Sequence, residues 1–81
     1  MTESVHTAKY HRLCELLIEA RKEKGLSQEV LAEKLGYLQT VVSKYERGER
    51  RLDVIEFLDV AQALGIDPHK IIRKVESLDE R

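Results

Sequence analysis

The chain has 81 residues, 14 basic and 15 acidic, a formal net charge of −1 and a pI near 6.3. That length makes one small domain, and a 42% apolar fraction with 5% aromatics supports a modest helical core but no enzyme cleft of ordinary size. A single cysteine excludes an internal disulfide and a thiolate zinc cluster. No apolar run approaches the ~20 residues of a membrane span and no signal peptide precedes the first helix, so the cytoplasm is the expected compartment.

No window alternates strictly with period two, so an all-α fold is expected. Gly25, Gly36, Gly48 and Gly65 each follow a segment of helical periodicity, and Asp67-Pro68 reads as the N-cap and first position of a last helix. This punctuation predicts a five-helix bundle spanning 7–76, with a frayed segment at 1–6 and a tail at 77–81. The first helix covers 7–24, with Tyr10, Leu13, Cys14, Leu17, Ile18 and Ala20 on its apolar face. Arg21 projects within that face, where it needs a carboxylate partner. His11 and Cys14 are three residues apart with His6 nearby. Three ligands make a poor closed metal site, and Cys14 projects inward with the leucines, so no metal or other cofactor is expected. His69 reads as a surface residue.

The second helix covers 28–35, with Ser27 as N-cap. Gln28, Leu31, Ala32 and Leu35 share one face, and the small Ala32 lets another helix cross closely. A three-residue turn starting at Gly36 leads to a third helix over 39–47. Short helix, tight turn, second helix is the helix-turn-helix arrangement, here over about 28–47. At 100° per residue, Gln39, Thr40, Ser43, Lys44 and Arg47 fall within an arc of roughly 140°. Leu38, Val41, Val42 and Tyr45 lie opposite and must press on a core. Amide, hydroxyl and cationic groups are what base edges and phosphates in a major groove require. The third helix is therefore expected to read double-stranded DNA.

The net charge of −1 argues against a strongly basic nucleic-acid domain. Its distribution is more favourable. Between positions 39 and 51, Lys44, Arg47, Arg50 and Arg51 stand against Glu46 and Glu49, a net of +2. Arg47, Arg50 and Arg51 sit at and beyond the end of the third helix, where they can clamp phosphate or complement the helix dipole. The fourth helix covers 54–64 behind an Asp53–Glu56 capping box, with Val54, Phe57, Leu58, Ala61 and Leu64 as its buried stripe. The fifth, from Pro68, presents Ile71, Ile72 and Val75, with Leu78 continuing the stripe. That is more apolar surface than docking requires, and a homodimer seam is the favoured use. Glu15, Glu19, Glu23, Glu29 and Glu33 fall mostly on outer faces with no converging nucleophile, so no enzyme is expected.

Gln28-x-x-Leu31-Ala32-x-x-Leu35-Gly36, then Gln39-Thr40-Val41-Val42-Ser43, then Tyr45-Glu46-Arg47-Gly48, resembles the phage-repressor-like (Xre/Cro) helix-turn-helix domains of bacterial regulators. The resemblance covers about 17–72. The segment 68–76 also looks like the small controller proteins of restriction–modification systems. The resemblance implies a transcriptional regulator with the third helix in the major groove. It implies base contacts from Gln39, Thr40, Ser43 and Lys44. It implies a phosphate contact from Gln28, which would also brace the first recognition-helix residue. It further implies a buried ion pair between Arg21 and Glu46, which agrees with Arg21 lying in an apolar face. One departure stands out: many members carry Ser or Thr as N-cap of the recognition helix, and here Leu38 takes that place. Leu38 can point into the core, or it can lie exposed against a sugar or a thymine methyl. The other reading, from a different class, is a protein-interaction module such as an antitoxin or anti-activator, with a regulatory protein as partner.

Overall fold

The computed structural model describes residues 7–78. They form five helices and no strand: α1 (Ala8–Glu23), α2 (Gln28–Leu35), α3 (Gln39–Glu46), α4 (Val54–Leu64) and α5 (Pro68–Glu76). The expected frayed segment at 1–6 and the end of the tail at 79–81 lie outside the described residues.

Local chemistry sets most of the boundaries. The Thr7 hydroxyl accepts from the Tyr10 amide at 3.1 Å and the Ser27 hydroxyl from the Val30 amide at 3.1 Å. Thr7 is thus the cap of α1 rather than its first residue, and Lys24 and Arg47 are C-caps of α1 and α3 rather than helical residues. Asp53 and Glu56 close a reciprocal capping box, and Asp67 caps α5 ahead of Pro68. Gly36 ends α2 at φ 72°, in the left-handed region that a turn this tight requires.

Leu17, Leu31, Val42, Tyr45, Val60 and Leu64 are the most deeply buried side chains, so every helix from α1 to α4 contributes to one core. Helix α1 packs on α3, α4 and α5, while α2 packs on α3 and α4. With neighbours on three sides, α1 buries a wider arc than one stripe. Leu16, outside the expected face, is buried, whereas Leu13 and Ile18 at its edges are half-buried.

The stripe expected on α4 needs correction. Phe57, Ala61 and Leu64 are buried, but Val60 joins them, and Val54 and Leu58 are exposed. Phe57, Val60, Ala61 and Leu64 are the i, i+3, i+4, i+7 set. Leu58 lies about 100° from the centre of that arc, and Val54 sits in the first turn beyond its cover. The sequence also left the apolar side of α5 undivided. Ile71 is buried in the protein's own core, Val75 and Leu78 are half-buried, and Ile72 is 43% exposed. Among the described residues, no helix is long and apolar enough to cross a membrane.

Candidate nucleic-acid interface

Helix α3 is two turns long, too short to hold its shape alone. It is fixed by burial of its inner side, where Val42 and Tyr45 have no exposed surface. The Tyr45 hydroxyl is itself buried and has no hydrogen-bond partner among the described residues. The opposite side carries Gln39, Thr40 and Lys44, all exposed, and Ser43, half-buried. The polar arc expected from periodicity is thus presented outward.

The last turn of α3 is anchored by charge. Arg21 on α1 donates from Nε and Nη2 to the two Glu46 oxygens at 2.7 and 3.0 Å. Its Nη1 donates to the Leu26 carbonyl at 2.7 Å. The Gln28 amide nitrogen donates to Glu46 Oε1 at 2.9 Å, so the first residue of α2 is tied to the last residue of α3, not to Gln39 at its start. The side chains of Arg21 and Glu46 are 11% and 4% exposed. This two-pronged contact raises the Arg21 pKa, the hydrogen bonds to Glu46 outweighing the opposing effect of burial. Helices α1, α2 and α3 are thereby clamped together at the last turn of α3.

The start of α3 is different. Leu38 is its N-cap, its side chain makes no cap hydrogen bond, and it is 73% exposed. Of the two orientations left open by the sequence, the exposed one is found. An N-cap is not helical, so the side chain leaves the cylinder of α3 instead of joining Val42 and Tyr45 below it.

The arginines beyond α3 all have partners inside the protein. Arg47 donates to the two Glu49 oxygens at 3.0 and 3.1 Å and also to the Ser43 hydroxyl. The Arg47 guanidinium, by hydrogen bonding and then by charge, holds the Glu49 carboxyl below its ordinary pKa. Arg50 makes the same kind of fork to Glu56 at 3.2 and 2.7 Å, and the Glu56 carboxyl is lowered by Arg50 first and by the Asp53 amide second. Arg51 lies 4.7 Å from the centre of the Tyr10 ring and reaches the Thr7 hydroxyl at 3.4 Å. Tyr10 in turn donates its hydroxyl proton to the Arg50 carbonyl at 2.8 Å and accepts from the Leu52 amide at 3.2 Å. Burial pushes its pKa up to about 12. The loop after α3 is therefore tied to α1 and α4 before any ligand arrives.

Glu49 and Glu56 as arginine partners, and Tyr10 as the loop's anchor, were not singled out from the sequence. The Glu56 role had a signal in the capping-box spacing, since a carboxylate reaching back to Asp53 points toward Arg50. Cys14 is buried, its Sγ donates to the Tyr45 carbonyl at 3.1 Å, and desolvation pushes its thiol pKa up. It serves the α1–α3 contact.

Residues 17–71 match the helix-turn-helix family model HTH_3. An uncharacterized HTH-type transcriptional regulator of Sinorhizobium fredii, y4dJ, is 40% identical over 52 residues, covering 64% of this chain and 68% of that one. Among solved structures, an XRE-family-like protein from Pseudomonas syringae pv. tomato superposes with a TM-score of 0.84 at 47% identity, over 91% of this chain and 90% of its own. The restriction–modification controller protein C.AhdI of Aeromonas hydrophila superposes with a TM-score of 0.75 at 37% identity, over 80% and 98%. With the motif, the five-helix order and these similarities in agreement, the chain belongs to the Xre-like helix-turn-helix family of transcriptional regulators.

Proposed function

We propose that the protein is a sequence-specific DNA-binding regulator that acts as a homodimer, placing α3 in the major groove of a pseudo-palindromic operator. The observation that carries this reading is the outward polar side of α3. Gln39, Thr40 and Lys44 stand exposed on a helix whose other side is locked into the core. Glutamine can bond an adenine edge at two points, and lysine suits the guanine oxygen and nitrogen. Ser43 belongs to the same surface, and Gln28 at the start of α2, with Arg47, Arg50 and Arg51, would contribute phosphate contacts by exchanging or sharing the internal partners each of them has.

The dimer reading rests on the apolar depression between α1, α4 and α5. Leu13, Leu52, Val54, Phe57, Ile72 and Val75 line it. Of the four residues offered for the seam, Ile72 and Val75 on α5 and Leu78 just beyond it remain suited, while Ile71 serves the protomer's own core. Two protomers would set their recognition helices about one DNA turn, ~34 Å, apart. Control would come from protein level, a partner protein, or a small signal acting on the dimer.

The test is selection of binding sites from random duplexes by the purified protein at two salt concentrations, with Gln39→Ala and Lys44→Ala alongside. Recovery of a short pseudo-palindrome, relaxed by either substitution, supports the reading and yields the half-site spacing. Weak binding with no motif, unchanged by both, overturns it and directs attention to a protein partner for the same surface.

A further inference from the structure

Leu38 carries two costs. It leaves the first turn of α3 without a side-chain cap, and it holds a large apolar side chain 73% exposed. A serine or threonine there would remove both. The side chain also stands immediately before Gln39 and Thr40, at the end of α3 that would enter the groove first. Its exposed neighbours on that surface are hydrogen-bonding groups, so Leu38 is an apolar point within a polar field. In the major groove the one apolar feature of a base edge is the C5 methyl of thymine, which sets it apart from cytosine and from uracil. An exposed branched hydrocarbon at the tip of a reading helix can bury that methyl, and it discriminates without forming a hydrogen bond.

We propose that Leu38 is a specificity-determining residue that reads a thymine C5 methyl at the base pair beside the one met by Gln39. This rests on the DNA-reading function proposed above. It accounts for the missing cap: the position trades local helix stability for a base contact.

The experiment uses the full chain and the operator recovered by site selection. Thymine in each half-site is replaced, one position at a time, by uracil, which deletes the methyl and leaves the hydrogen-bonding edge intact. Removing one well-buried methyl is expected to weaken wild-type binding about 4-fold. The same thymine-to-uracil change should have no effect on Leu38→Ala, and Leu38→Met should retain most of the discrimination. The Leu38→Ser variant adds a readout that a merely structural role would not give. It should raise the melting temperature by restoring a cap while it weakens binding to the thymine site. Replacing a cytosine by 5-methylcytosine at the discriminating position should recover part of the affinity for wild type only.

If an operator is found but no thymine methyl matters to wild type, the inference fails and the DNA-reading function stands. It fails in the same way if Leu38→Ala weakens all sequences alike, because the side chain then packs on sugar. If no operator is recovered at all, both fall together.

Discussion

Replacing Arg21 by leucine should test how α3 is held. In the folded protein the Glu46 side chain is 4% exposed and receives two hydrogen bonds from Arg21 and one from Gln28. Arg21→Leu leaves that carboxylate buried with one neutral donor. Breaking a buried pair from one side costs about 3–5 kcal/mol. A domain of 81 residues has a total stability of roughly 4–12 kcal/mol. The single variant should therefore lose a large part of its stability, with a fall in Tm of roughly 12–40 °C at 4–8 °C per kcal/mol. Replacing Glu46 by leucine as well removes the stranded charge. The double variant still loses the bonds from Arg21 to the Leu26 carbonyl and from Gln28 to Glu46, about 1 kcal/mol each, and should settle within about 2 kcal/mol of the parent. Urea unfolding followed by helical circular dichroism measures all three. Should Arg21→Leu prove too unstable to measure, Glu46→Gln, which keeps an acceptor but not the charge, provides an intermediate step. Equal losses in the single and double variants would refute the view that a lone buried carboxylate is the worse state.

Three further outcomes are expected. Tyr45→Phe removes a buried hydroxyl that has no partner, and should be neutral or stabilising by up to about 1 kcal/mol in thermal unfolding; a loss larger than that would show the hydroxyl to be hydrogen-bonded in solution. Glu56 has a folded-state pKa below its ordinary 4.5, so its contribution is complete above that value and disappears as pH falls through the lowered one. The stability gap between the parent and Glu56→Gln should be steady at neutral pH and shrink below about pH 4.5, and an unchanged gap at pH 3.5 would contradict the assignment. Glu49 occupies the guanidinium of Arg47. In the proposed DNA-binding role, Glu49→Gln should strengthen duplex binding and make the slope of log affinity against log salt steeper by about 1, while the same charge change at Glu19, on the α1–α5 side, should leave the slope alone.

Much of this protein is legible locally. Helix ends are decided by groups within three or four residues of one another, so Ser27, Asp53, Asp67-Pro68 and the glycines mark them without knowledge of the fold. The amphipathic division of α3 follows from its 100° periodicity, and Arg21 within an apolar face signals a buried partner 25 residues away. Two of the misjudged faces fail for one reason. Periodicity says that a helix has an apolar side, but not how wide the cover is or where it is centred. Leu16 is buried because α1 is walled by three helices, and Leu58 is exposed because α4 presents the Phe57–Leu64 stripe instead.

The sequence by itself determined the five helices, their caps, the helix-turn-helix and the polar side of α3, because each depends on spacing along the chain. Only the tertiary structure decided that Leu38 stands in solvent, that Ile71 belongs to the core and Ile72 does not, and that Tyr10 anchors the loop after α3. Exposure and contacts between distant residues depend on which surfaces are brought together and which partner stands within hydrogen-bond reach, and those distances exist only once the chain has closed on itself.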